Sequence, residues 1–392
     1  MEGSSKKNAA LALTASALTI FTGRAGAESP PDKSTIGVRY SNYTEEDISS
    51  DLTSSGETEQ RYDIDVRHVN LFIPLTDKFA FGFDAINEKM TGASPIGNAL
   101  DGDEVKVVMS GATIEEDRTD LTATMVFYGD HTKTSFAVGQ SNENDYLANY
   151  ASVSFDYSFN QDNTTLGFAV SHSDDEITPT DAEQFGRIAE AEKTSSSVYV
   201  GVTHLFSPVL MVQTGVGAAR LEGFLSDPYK AGNISFPQDR RPDERNQYTY
   251  TVKARYFLKN IDSAFHADYR YFTDNWDIDS HTVKLGIIKN FTPRFQMGLT
   301  ARYYMQSEAE FYEPFNVADV EQPEFFSSDY RLSPFGALSF NLSGKVHFEK
   351  WAINFNYERY KADSDLSFED VVIENPGLIE YDRFSLGFTV DF

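Results

Sequence analysis

The chain contains no cysteine, so neither a disulfide framework nor thiol chemistry is open to it. Tryptophan is almost missing too, with 2 residues against 31 Phe and 21 Tyr. Basic residues are outnumbered, 33 Lys and Arg against 60 Asp and Glu, which leaves a net charge of -27 at pH 7. So acidic a chain excludes nucleic acid as a partner, because that needs a basic surface. After Phe21 there is no long apolar run, so no later helix could hold the chain in a bilayer. Its seven histidines include no His-Glu-x-x-His pair, and there is no Gly-x-Ser-x-Gly elbow and no phosphate-cradling Walker sequence. These absences lead us to expect a protein that is not an enzyme.

What is present is alternation. In the segment 382–392, Phe384, Leu386, Phe388, Val390 and Phe392 share one face of a strand, and Arg383, Ser385, Gly387, Thr389 and Asp391 share the other. About sixteen such runs recur from residue 34 onward, with 14 to 18 as the bounds of the count. Examples are Tyr248 to Leu258, Phe295 to Gln306, Phe335 to Phe348 and Trp351 to Tyr360. At Arg67-His68 the pattern slips by one, which we read as a β-bulge. Connections alternate in length. Short turns at 74–78, 129–133, 160–163, 207–209, 259–263, 292–294 and 349–350 are separated by mostly longer acidic segments, among them 45–60, 90–106, 173–194, 222–245, 307–334 and 361–380. A soluble sandwich has no reason to alternate so. The pattern predicts an all-β fold, a transmembrane antiparallel up-and-down β-barrel closed by its last strand. Mean hydropathy of -0.41 fits, since only every second strand residue would meet lipid.

The other end of the chain agrees. Lys6 and Lys7 precede the apolar run Ala9 to Phe21, and Ala25-Gly26-Ala27 has the small-x-small form of a secretory cleavage site. We expect a signal peptide over 1–27 and a single barrel domain over 28–392, located in the bacterial cell outer membrane. Losing Lys6, Lys7, Arg24 and Glu2 removes a net +2 and leaves a mature charge of -29. The expected surroundings are outer-membrane lipids and lipopolysaccharide, with the barrel-assembly machinery engaging the strand that ends at Phe392.

With apolar faces on lipid, the opposite faces supply lumen candidates: Asp63, Asp65, Arg67, Lys253, Arg255, His266, Asp268, Arg270, Arg302, Lys345 and Glu358. Such a wall is either a selective constriction or a solvated lining. No metal site is expected, although the acidic loops at Asp174-Asp175-Glu176, 101–104 and 274–279 offer hard oxygen donors for calcium without EF-hand spacing. Thr91-Gly92-Ala93-Ser94 and Ser110-Gly111-Ala112-Thr113 resemble the acceptor sequence for covalent FMN, with Ser94 and Thr113 as the acceptors.

Several segments together resemble one family: Thr91 to Pro95, Met109 to Arg118, Asn144 to Leu147, Asp162 to Leu166 and, most specifically, Tyr269 to Thr282. It is the domain-of-unknown-function family 3570 of Gram-negative outer-membrane β-barrel proteins. The resemblance covers most of the chain and implies a barrel and a location. It also favours an envelope redox context, and it assigns no catalytic residue. The expected function is therefore a pore, or the membrane component of an export or envelope redox assembly. The alternatives are a structural sheath around a periplasmic redox partner and a flavinylated barrel.

Overall fold

A computed structural model describes residues 30–110, 114–230, 238–315 and 323–392; the expected signal peptide and Thr113 lie outside them. Among the described residues eighteen strands follow one another. The first are β1 (Thr35–Glu45), β2 (Asp63–Pro74), β3 (Phe79–Gly92), β4 (Pro95–Asp101), β5 (Glu104–Met109) and β6 (Ile114–Tyr128). Next come β7 (Thr132–Asn142), β8 (Tyr146–Phe159), β9 (Thr164–Ile177), β10 (Ala191–Ser207), β11 (Leu210–Gly223) and β12 (Glu244–Leu258). The last are β13 (Ser263–Asp274), β14 (Asp279–Thr292), β15 (Phe295–Gln306), β16 (Phe335–His347), β17 (Trp351–Asp363) and β18 (Glu380–Asp391).

Sixteen of them form one closed antiparallel barrel in sequence order, with β3 pairing β6 and β1 pairing β18. The remaining pair, β4 and β5, is a hairpin set on the β3–β6 connection. Closure leaves no free edge, so every ladder hydrogen bond is met inside the wall, as hydrocarbon requires. The outer face carries Val138 (61 % exposed), Leu299 (60 %) and Phe340 (61 %), an apolar band that only lipid would leave uncovered. Above the band the wall continues. Strands β9 and β10 run to Ile177 and back from Ala191, into a segment that composition alone assigns to a loop. The outer face there carries exposed Asp174 and Glu176 while Asp175 and Ile177 on the inner face are buried, so the apolar-out, polar-in alternation disappears while the ladder persists.

The same physics corrects the reading of β2. Its register against β1 runs without a shift from Thr35↔Phe72 to Thr44↔Asp63, so there is no bulge at Arg67-His68. Asp63, Asp65 and Arg67 therefore share the outer face with Val69 and Leu71 and do not face the lumen. The polar switch marks the point where the outer face leaves lipid. Asp63 and Asp65 there accept hydrogen bonds from Asn42 Nδ2 at 3.0 and 3.3 Å.

Candidate lumen site and cap

The lumen wall divides by charge. On β12 to β18 and β1, the inward positions hold nine cations: Arg245, Lys253, Arg255, Arg270, Lys284, Arg302, Lys345, Arg383 and Arg39. Five carboxylates accompany them, Asp268, Asp274, Glu358, Asp391 and Glu45. On β2 to β11 the balance inverts. Asp84, Glu88, Glu116, Asp120, Asp156 and Asp175 face inward with only Arg118, Lys133 and Lys193. A basic arc thus faces an acidic arc across the lumen.

Pairing also differs along the basic arc. Arg245 holds Asp274 at 2.5 Å, Arg255 forks onto Asp268, and Arg383 meets Glu358 at 2.5 Å. Arg39, Lys253, Lys284, Arg302 and Lys345 make no ion pair among the described residues, and Lys284 and Arg302 are direct register partners. Near the short-turn end this wall frames a cavity of about 430 Å³ lined by Arg39, Ser41, Gln296, Lys345, Asn354, Asn356 and Arg383. Its lining combines three cations with neutral amide and hydroxyl groups, a donor set suited to an anion.

At the opposite end the long loops fold inward and meet. Asp329, fully buried, accepts from Arg331 Nε at 2.8 Å and Arg241 Nη2 at 2.8 Å, with Lys230 Nζ at 3.4 Å. Arg241 also holds Asp239 at 2.8 Å, and Arg331 reaches Asp227 at 3.1 Å. The surrounding cations hold the Asp329 carboxyl well below the usual range, against the opposing push of burial. Neighbouring loops join this knot. Arg61 binds Glu45 at 2.6 Å and the Gly377 carbonyl at 3.0 Å, and its guanidinium lies 5.6 Å from the Tyr330 ring centre. Asn98, on β4, donates to the Pro314 carbonyl at 2.9 Å, and Asn375 donates to Tyr312 Oη at 3.0 Å. Trp276, Ile278, Ala309, Tyr312 and Leu332 form an apolar cluster at the same end. Gly92 permits the crossing of two loops here: at φ 127°, a Cβ would lie 2.2 Å from the Arg61 carbonyl oxygen. The result is a cap built from loops attached to opposite sides of the barrel.

One short turn, 143–145 between β7 and β8, also points inward and is treated below. Burial pushes its Glu143 carboxyl up to about 7 and raises Asp145 as well.

The sequence-derived lumen residues fall as follows. Lys253, Arg255, His266, Asp268, Arg270, Arg302, Lys345 and Glu358 take inward positions; Asp63, Asp65 and Arg67 do not. Arg39 was missed because β1 reads poorly by composition, although Ile36, Val38 and Tyr40 alternate around it. The acidic loops proposed for calcium do not converge: Asp174 points outward beside His172 while Asp175 points inward to Lys193. Asp274 is already taken by Arg245 and by the backbone amides of Trp276 and Ile278. Ser94 sits at the long-loop end, its amide donating to Ser110 Oγ at 3.1 Å.

A closed antiparallel barrel with an apolar belt and a polar, capped lumen is an outer-membrane type of barrel. The chain belongs to the family described as "Protein of unknown function (DUF3570)", whose model matches residues 6–373. Among curated proteins nothing matches. Among solved structures it is similar to a bacterial polysaccharide outer membrane secretin, at 10 % identity and TM-score 0.51, covering 92 % of this chain and 98 % of that one. CdiB from Acinetobacter baumannii gives 7 % identity and TM-score 0.51; the match covers 92 % of this chain but 60 % of that chain. OpdQ from Pseudomonas aeruginosa gives 9 % identity and TM-score 0.43 over 92 % and 98 % of the two chains. At such identities the likeness is one of fold.

Proposed function

We propose that this barrel is an outer-membrane pore component whose lumen accepts small anionic solutes from the periplasmic side, beneath a loop cap on the cell surface. The observation that carries this reading is the cavity holding Arg39, Lys345 and Arg383, of which Arg39 and Lys345 lack a carboxylate partner among the described residues. A hydrated cation without a partner attracts mobile anions, and a low-dielectric wall focuses that field. The acidic arc opposite adds a transverse field that would orient a solute carrying both charges. The alternation of short turns and long loops supports the assignment of sides, short turns to the periplasm.

The test is conductance in planar bilayers under a KCl gradient. The expected reversal potential favours chloride. A cation-selective channel would sink the anion reading, and a barrel that never conducts would sink the pore reading.

A further inference from the structure

The turn between β7 and β8 buries carboxylates that the charged lumen does not use. Glu143 has a side chain only 1 % exposed, and neither carboxylate oxygen receives a hydrogen bond among the described residues. Its nearest cation is Arg118, whose Nε lies 3.6 Å from Oε1, but that single N–H is already donated to Ser141 Oγ at 2.9 Å. Arg118 is also shared with Glu88 at 2.9 Å and Asp120 at 3.7 Å, so one guanidinium serves three carboxylates. Asp145 is 2 % exposed; its Oδ2 accepts from the Tyr229 hydroxyl, while Oδ1 is buried with no donor. Glu116, 3 % exposed, brings a third carboxylate, with Oε1 accepting from the Asn144 amide at 3.2 Å. One oxygen from each of Glu116, Glu143 and Asp145 can be chosen so that all lie within 4.8 Å of one another. That spread is twice a calcium–oxygen bond, so a single ion could touch all three. Leaving orphaned carboxylate oxygens dry is costly, and a cation placed among them removes the cost.

We propose that Glu116, Glu143 and Asp145 form a binding site for one hard divalent cation of the calcium type. Carboxylate oxygens select calcium-like ions over soft metals, and a tight turn with two donors leaves positions for water. The ion would tie β6 to the β7–β8 turn. Through Asp145 and Tyr229 it would also fasten the connection between β11 and β12, which carries Lys230, Asp239 and Arg241 into the cap. The cation therefore closes one flank of the cap.

The experiment uses the full barrel in detergent, stripped with chelator and titrated with CaCl₂ by calorimetry and heat unfolding. Wild type should show one saturable site and an unfolding midpoint several degrees higher with calcium. The E143Q/D145N variant should bind at least tenfold more weakly and lose the shift. D101N/D103N, in the exposed β4–β5 turn, should keep both. Displacement of Tb³⁺ luminescence by calcium on wild type gives a readout even if the double variant folds poorly. Equal calcium binding by wild type and E143Q/D145N would mean diffuse attraction to an acidic surface and would overturn the site. So would a wild-type barrel with no calcium-dependent shift.

Discussion

The cap and the basic arc treat charge in opposite ways. In the cap, fully buried Asp329 is gripped by Arg331, Arg241 and Lys230, and these are balanced further by Asp227 and Asp239. In the arc, Arg39, Lys253, Lys284, Arg302 and Lys345 stand without carboxylates of their own among the described residues. The first arrangement spends each charge on another part of the protein and so fixes a shape. The second keeps charge in water, where a passing ion can meet it. Buried pairing is architecture; hydrated excess is capacity for a solute.

Removing one member of the cap's knot should have the largest effect. D329N leaves three cations sharing less compensation, at a cost of about 3–5 kcal/mol. The measurements are denaturant unfolding and protease cleavage of the long loops. An unchanged variant would show that the knot does not hold the cap. The knot also sets a pH window. Because the Asp329 carboxyl is held below its ordinary value, its stabilisation is complete above about pH 4 and fades only as pH falls further. The share of protease protection lost in D329N should therefore be the same at pH 5 and pH 7, and fade progressively below about pH 4.

Next comes the apolar part of the same end. W276A empties a buried position that also stacks edge-on against Phe311 at 5.1 Å and should cost about 3 kcal/mol. Conductance selectivity should stay unchanged, because the arc cation on its ring, Arg245 at 4.2 Å, stays paired with Asp274 and the unpaired arc cations are not touched. A selectivity change would mean that cap and arc are not separable.

The arc itself is tested by R39E/K345E. Each reversed charge acts at roughly 1 kcal/mol near contact in water-like surroundings, so the two together should lower the anion preference by about thirtyfold. Heat stability should hardly move. The smallest effect is expected at the outer rim, where D65N should shift stability by less than about 0.5 kcal/mol and leave selectivity as it was. A large selectivity change there would return Asp65 to the lumen and break the assignment of faces.

Much of the wall was legible because lipid imposes period-two alternation, as in Phe295 to Met305 on β15 and Phe384 to Phe392 at the end. Where the environment changed within one strand, the same rule misled. Asp63, Asp65 and Arg67 read as a slipped register because polarity on an outer face was taken for a lumen. The cap was illegible for a different reason. Asp329, Arg241 and Arg61 come from connections without periodicity, and only the closed ring brings them together. Glu143 and Asp145 carry no sequence signal of a site; only the fold shows both Glu143 oxygens and Asp145 Oδ1 buried without a donor among the described residues.

The seam between β1 and β18 is fastened at both ends. At the short-turn end, Ser34 and Phe392 exchange backbone hydrogen bonds of 3.1 and 2.9 Å. At the other, Arg61 bridges Glu45 and the Gly377 carbonyl, across 316 residues of chain. Contacts so distant in sequence form late, since loop-closure entropy must be met before they reward the chain. The order of assembly follows: hairpins zip locally, the ring shuts at β1–β18, and only then does Arg61 find its carbonyl. That contact acts as a latch on a finished ring, so weakening it should speed the opening of closed barrels more than it slows their formation.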